Sequence, residues 1–192
     1  MGNGPLTRAA ILQAALETVC VHGFEGLNLQ PLAKRVGMTK SGLYAHFGSK
    51  EALQLATLAS AIEAFQRTVV VPAKDAPAGR PRVDALFGAW LAWPSSAGLP
   101  GHCPFLAGAL EFDQRVSPVR DQLARIFRDF QQILSELVAS AIRHGHLRAQ
   151  LDPVAVARDL LGVRYAHEVS ARLLGDSSAS VHAMASFTRV LR

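Results

Sequence analysis

Residues 27–53, LNLQPLAKRVGMTKSGLYAHFGSKEAL, constrain this chain more than any other segment. Leu29, Leu32, Ala33 and Val36 recur at i, i+3, i+4 and i+7, the spacing of one apolar helical stripe, with Asn28 at the N-cap. Pro31 falls in the first turn, where its missing N–H is an orphan donor anyway, which leaves the Asn28 cap to the N–H of Gln30. Gly37 stops the helix and permits a tight turn. Thr39 is a good N-cap for a second helix, in which Leu43 and Phe47 face inward while Lys40, Ser41, Gly42, Tyr44 and His46 face out. Two short helices hinged on a glycine, the second with a small, hydroxylic and basic outer face, have the form of a helix-turn-helix that lays a helix in a major groove.

The same residues carry a resemblance. The run from Gly37 to Leu53 is similar to the signature G-V-[ST]-x-x-x-[LF]-Y-x-H-F-x-[SN]-K-x-x-L of the TetR (tetracycline repressor) family of bacterial transcription regulators. The similarity extends upstream through Thr7-Arg8-Ala9-Ala10-Ile11-Leu12 and His22-Gly23-Phe24, covering about the first 55 residues. A weaker one lies at Cys103-Pro104-Phe105, Glu111-Phe112-Asp113 and Pro118-Val119-Arg120-Asp121, a pattern of the ligand-binding half of one subgroup.

Composition narrows the classes. With 49% hydrophobic and 18% charged residues, the 192-residue chain can bury a core and is not a disordered protein. Its net charge is +5, and residues 1–50 hold five cations, Arg8, Lys34, Arg35, Lys40 and Lys50, against Glu17 and Glu25. More than half the excess therefore sits at the end that carries the motif, which suits a polyanion, although surface solubility explains such a sign equally well. Cys20 and Cys103 make no disulfide framework, the N-terminus has no apolar leader pattern, and no apolar run is long enough to span a bilayer. A soluble, cytoplasmic protein with no membrane contact is expected.

Helical periodicity runs through the chain, and its only β-branched run, Thr68 to Val71, is cut by Pro72, so the fold should be all-α. Helices are expected over about 5–22, the two of the motif, 50–71 from a Ser49 cap, 83–93, 104–112, 117–144, 152–174 and 179–192. Ser117-Pro118 and Asp152-Pro153 are start signals, and Gly145 and Gly175 are stops. The connectors Pro72 to Arg82 and Pro94 to His102 are rich in Pro, Gly, Ala or Ser. The count is nine helices: three in an N-terminal helix-turn-helix DNA-binding domain, residues 1–48, and six in a C-terminal effector-binding and dimerisation domain, residues 49–192. The TetR resemblance implies the same architecture.

On a duplex, Lys40 and Ser41 are the candidates for base contact, with the lysine able to donate to guanine O6 and N7. Gly42 would allow close backbone approach, and Gln30 could bond an adenine edge or a phosphate. Thr39, Tyr44, His46 and Lys50 are candidate phosphate contacts, with Arg8 a further one and Asn28 at the mouth of the motif completing the set. Each has a plain alternative: Tyr44 could pack between helices, His46 could cap or pack, and Lys40 and Arg8 could be a solvated face.

A single reading helix covers few base pairs, so such proteins commonly pair half-sites about one turn (~34–36 Å) or more apart. The resemblance implies that the last two helices of each subunit form a four-helix bundle, with Leu160, Val163, His167, Met184, Phe187 and Leu191 as the candidate homodimer interface. Those residues could instead close the monomer core. Phe65, Trp90, Trp93, Phe105, Phe127 and Phe130, with His102 and Cys103, are candidates to line a cavity for an unidentified small-molecule effector, and core packing explains the same aromatics equally well. Repression relieved by that ligand is the expected mode.

Enzymatic readings find little to stand on. Gly37 and Gly42 have P-loop spacing, but Leu43-Tyr44 replaces the required Lys-Ser/Thr, and the chain holds no GxSxG, HExxH or GxGxxG. His144 and His146 make a poor chelate and a better helix C-cap. No catalytic residue, metal or cofactor is expected. Cys103 beside His102 could sense oxidants, with a buried small hydrophobe as the default.

Overall fold

The computed structural model describes residues 4–93 and 95–192, with side chains from residue 8 onward. Pro94, expected to open a loop, lies outside the described residues. The described elements are all helical: α1 (Gly4–His22), α2 (Leu29–Arg35), α3 (Lys40–Phe47), α4 (Lys50–Phe65), α5 (Val71–Asp75), α6 (Arg80–Ala92), α7 (Pro104–Phe112), α8 (Pro118–Arg143), α9 (Pro153–Glu168) and α10 (Ala179–Val190). A π-helical segment, Gln66–Val70, joins α4 to α5 without a break, and a second, Val169–Leu173, prolongs α9. Counting each continuous rod once gives nine among the described residues, as the periodicity predicts. Ser95–Ala97 adds a short 3₁₀ turn inside an expected loop.

Several helix ends follow from local chemistry. Thr39 accepts a hydrogen bond from the Gly42 N–H at 3.0 Å, Ser49 from Ala52 at 3.0 Å, Ser117 from Arg120 at 3.2 Å and Asp152 from Val154 at 2.9 Å, each oxygen satisfying a donor that the first turn leaves orphaned. The Asn28 cap expected for α2 fails: its backbone is extended as a cap requires, but its side chain makes no capping bond. Pro31 at N3 removes one of the two N–H groups that such a cap uses, so half the reward for ordering the asparagine is gone. Gly37, at φ +70°, supplies the left-handed residue on which the chain reverses between α2 and α3.

Close contacts divide the chain into two units, Met1–Ala64 with Gly98–Ala124, and Phe65–Ala97 with Arg125–Arg192. In the first, Ile11, Leu16, Val19, Phe24, Leu43 and Leu53 are fully or almost fully buried. The Phe24 ring meets Phe112 edge-on at 5.9 Å, and the Gln54 amide donates to the Phe24 carbonyl at 3.2 Å. In the second, Phe65, Phe87, Trp90, Trp93, Phe130 and Phe187 build an aromatic core. Phe87 stacks on Phe187 at 4.3 Å with planes 13° apart, which fastens α6 to α10.

Candidate nucleic-acid interface

Helix α3 is held by its inner face and leaves its outer face open. Leu43 and Phe47 are buried, while Thr39, Lys40, Ser41 and Tyr44 are exposed, Tyr44 by 55%. That exposure removes the packing alternative for the tyrosine. The Thr39 hydroxyl caps the helix and also bonds the Ser41 hydroxyl at 3.1 Å, so both are fixed in orientation at its N-terminal end. A β-carbon on Gly42 would stand 3.1 Å from Thr39 Oγ1. The glycine therefore protects the cap as well as allowing a close backbone approach.

The remaining members of the set are placed unevenly. Gln30 and Asn28 are exposed at the start of α2, and His46 is half-buried. Lys50 donates from Nζ to the Glu25 carbonyl at 3.1 Å, which leaves two of its three donors for a phosphate. Arg8 serves the fold itself, tying α1 to the C-terminal end of α3. Its Nη1 donates to the His46 carbonyl at 3.2 Å, and the guanidinium lies 4.6 Å from the Phe47 ring centroid. Arg35, outside the expected set, is paired with Glu17 and turned inward toward α1.

The expected effector residues are drawn from both units. Phe65 meets Trp93 at 5.3 Å and Phe130 at 5.2 Å, and Trp90 meets Phe130 at 4.7 Å, all edge-to-face, so these rings fill space against one another. Phe127 is half-buried in the same unit, whereas His102, Cys103 and Phe105 belong to the other unit, with His102 exposed and the other two buried. Cys103 is 2% exposed and in no disulfide, the burial that a small hydrophobe would have. His144 Nδ1 lies 2.7 Å from the Ser140 carbonyl, the C-cap expected of it. His146 takes a role that sequence could not show, accepting at Nδ1 from the Arg80 N–H at the start of α6.

The expected dimer residues also divide. Leu160, Phe187 and Leu191 are buried inside the protomer and are corrected to core positions, because these helices carry two apolar faces and periodicity does not say which one looks inward. Met184 is exposed and Val163 half-buried; Leu173 and Leu174, apolar positions of the same helical run that the periodicity also offers as a dimer surface, are exposed, as are Val154, Val169 and Val181.

His167 belongs to a buried polar network that sequence reasoning missed. Arg164, 1% exposed, donates from Nη1 to Glu168 at 2.6 Å, from Nη2 to the Trp93 carbonyl at 3.1 Å, and lies 3.4 Å from His167 Nδ1; its Nε has no hydrogen-bond partner. His167 Nε2 reaches Ser180 Oγ at 3.1 Å. The only advance signal was an arginine spaced i, i+4 from a glutamate on α9. Burial, and then the neighbouring Arg164 charge, hold the His167 imidazole below its ordinary pKa, against a smaller opposing pull from Glu168. The folded state thus keeps this histidine neutral while the unfolded chain takes up a proton below ~6.5, so the contribution to stability is present above that pH and is lost as pH falls toward the folded value. Denaturation curves between about pH 7.5 and 5.5 should show this loss, and His167→Gln should flatten it.

With this geometry in hand, comparison with known proteins decides the family. The model described as "Tetracyclin repressor-like, C-terminal domain" matches residues 79–187, and that of "Bacterial regulatory proteins, tetR family" matches residues 11–57. The chain belongs to the TetR family. Among its relatives, the HTH-type transcriptional regulator BetI of Agrobacterium fabrum is 30% identical over 86 residues, 45% of this chain and 42% of that protein. The chain thus spans less than half the length of this curated relative. A TetR transcriptional regulator from Chloroflexus aurantiacus superposes with a TM-score of 0.86 at 23% identity, over 100% of this chain and 95% of that one. AibR, solved in complex with isovaleryl coenzyme A and operator DNA, superposes with a TM-score of 0.74 at 22% identity, over 96% and 97% of the two chains. Among the described residues of this TetR-family chain, no helix is long and apolar enough to cross a membrane, and no group of three His, Cys, Asp or Glu could hold a metal ion.

Proposed function

We propose that this TetR-family chain is a sequence-specific DNA-binding regulator of transcription, acting in the cytoplasm as a homodimer on a palindromic operator and released from it by a small hydrophobic ligand. One observation carries the reading: a short, capped helix, α3, presents Lys40, Ser41 and Tyr44 together on its exposed face while Leu43 and Phe47 anchor it from behind. Residues 1–48 supply the reading head and residues 49–192 the effector-binding and dimerising part. The regulators named among its relatives, and a fold neighbour solved with both operator DNA and an acyl-coenzyme A, support a DNA-binding, ligand-responsive role.

Lys40 and Ser41 contact bases; Tyr44, Thr39 and Lys50 hold phosphates. The dimer face is the exposed apolar set on the last two helices, Val169, Leu173, Val181 and Met184, with Val163 at its edge. Ligand release requires a higher ligand affinity for the state that does not fit the operator, and DNA must weaken ligand binding by the same factor.

The two lysines separate readout from grip. Lys40→Ala should cost ~1–3 kcal/mol on the operator with relaxed base preference, whereas Lys50→Ala should weaken all sequences alike and lower the salt slope by about 1. Gel-shift titrations at several salt concentrations, on operator fragments selected from random DNA, check both. Equal losses on selected and random DNA for Lys40→Ala would reject base reading.

A further inference from the structure

The second unit contains a cleft of about 600 Å³, within the size range of small-molecule sites, where the end of α6 and the Ser95–Ala97 turn face α9 and its π-helical extension. Apolar Leu91, Trp93 and Ala171 line it, together with the hydroxyl-bearing Ser95, Ser96 and Ser180. Arg172 lines it too, as do Arg164, Glu168 and His167.

The charges decide what fits. Glu168 is committed to Arg164 at 2.6 Å, and the pair cancels. His167 is held neutral, as derived above. With the exposed Arg172 the lining, two arginines against one glutamate, carries a net charge of +1 in a partly apolar recess. A guanidinium with adjacent hydroxyls binds a carboxylate well, since all can donate and the arginine can do so in bidentate form. A neutral ligand would leave the charge unmatched, and a dianion would overshoot it.

We propose that this cleft is a binding site for a small amphiphilic monocarboxylate, its apolar body against Leu91, Trp93 and Ala171 and its carboxylate on Arg172 and the three serines. Arg164 pairs with Glu168 and donates to the Trp93 carbonyl. The assignment deepens the ligand-responsive reading above by naming the ligand class, and of the aromatic residues expected from sequence it uses Trp93.

Calorimetric titration of the full chain, without DNA, tests it with octanoate and 3-phenylpropanoate, each against its own amide. At least one acid should bind about tenfold or more tightly than its amide. Arg172→Gln should erase that difference, while Arg158→Gln, an exposed arginine on α9 outside the cleft, should preserve it. The proposal falls if neither acid binds up to millimolar concentration, if acid and amide bind alike, or if Arg172→Gln keeps the preference. Tighter binding of n-octyl phosphate than of octanoate would reassign the cleft to phosphate monoesters and overturn the carboxylate. Because the titration contains no DNA, its failure leaves the operator reading standing, and failure of the gel-shift test leaves this one.

Discussion

Phe87→Ala should lower folding stability by about 3–5 kcal/mol, a large share of what holds a domain of this size together. The ring is fully buried, lies flat on Phe187 of α10 and meets Trp90 edge-on at 6.0 Å. Alanine removes the transfer energy of a whole aromatic side chain and leaves a cavity between α6 and α10 that rigid helices cannot close. Urea denaturation gives the measurement, with Leu110→Ala, at a position 73% exposed, as a reference expected within about 0.5 kcal/mol of the parent. A loss for Phe87→Ala no larger than that reference would mean that α10 does not depend on this stack.

Arg164→Ala should be comparably damaging, about 3–5 kcal/mol, for an electrostatic reason. The guanidinium is the partner of Glu168, whose side chain is only 13% exposed, and a donor to the Trp93 carbonyl at the end of α6. Removing it takes the 2.6 Å ion-pair partner from a largely buried carboxylate and a donor from a helix-terminal carbonyl at once. Truncating both charges should be milder: Arg164→Met with Glu168→Gln is expected to recover most of the loss, because the desolvation penalty of the pair disappears with it. Thermal or urea unfolding of the two single variants and the double variant measures the coupling. Strict additivity would show that the pair does not act as a unit.

Much of this was legible from residues alone, and the boundary of legibility has a physical cause. Thr39, Ser49, Ser117 and Asp152 announced their helices because a cap is a local event between neighbours in sequence. Gly37 and the Leu43–Phe47 spacing placed the turn and the buried and exposed faces of α3 for the same reason. Asn28 failed because one proline, three residues on, changed the balance of its cap. Leu160, Phe187 and Leu191 were legible as apolar but not as core, since which face of a helix meets its own chain depends on partners distant in sequence. Arg164 was least legible of all. An arginine on an amphipathic helix is ordinarily solvated, and only the return of α6, 71 residues earlier, to offer the Trp93 carbonyl makes its burial tolerable.

The π-helical segment Gln66–Val70 carries a consequence for descent. Such a turn accommodates one residue more than a regular coil, so a rod can gain a single amino acid there without breaking. Alignments of kindred chains that lack the bulge should need a one-residue gap here. Positions after it, Val71 and Ala73 among them, should match in three dimensions only once that offset is applied.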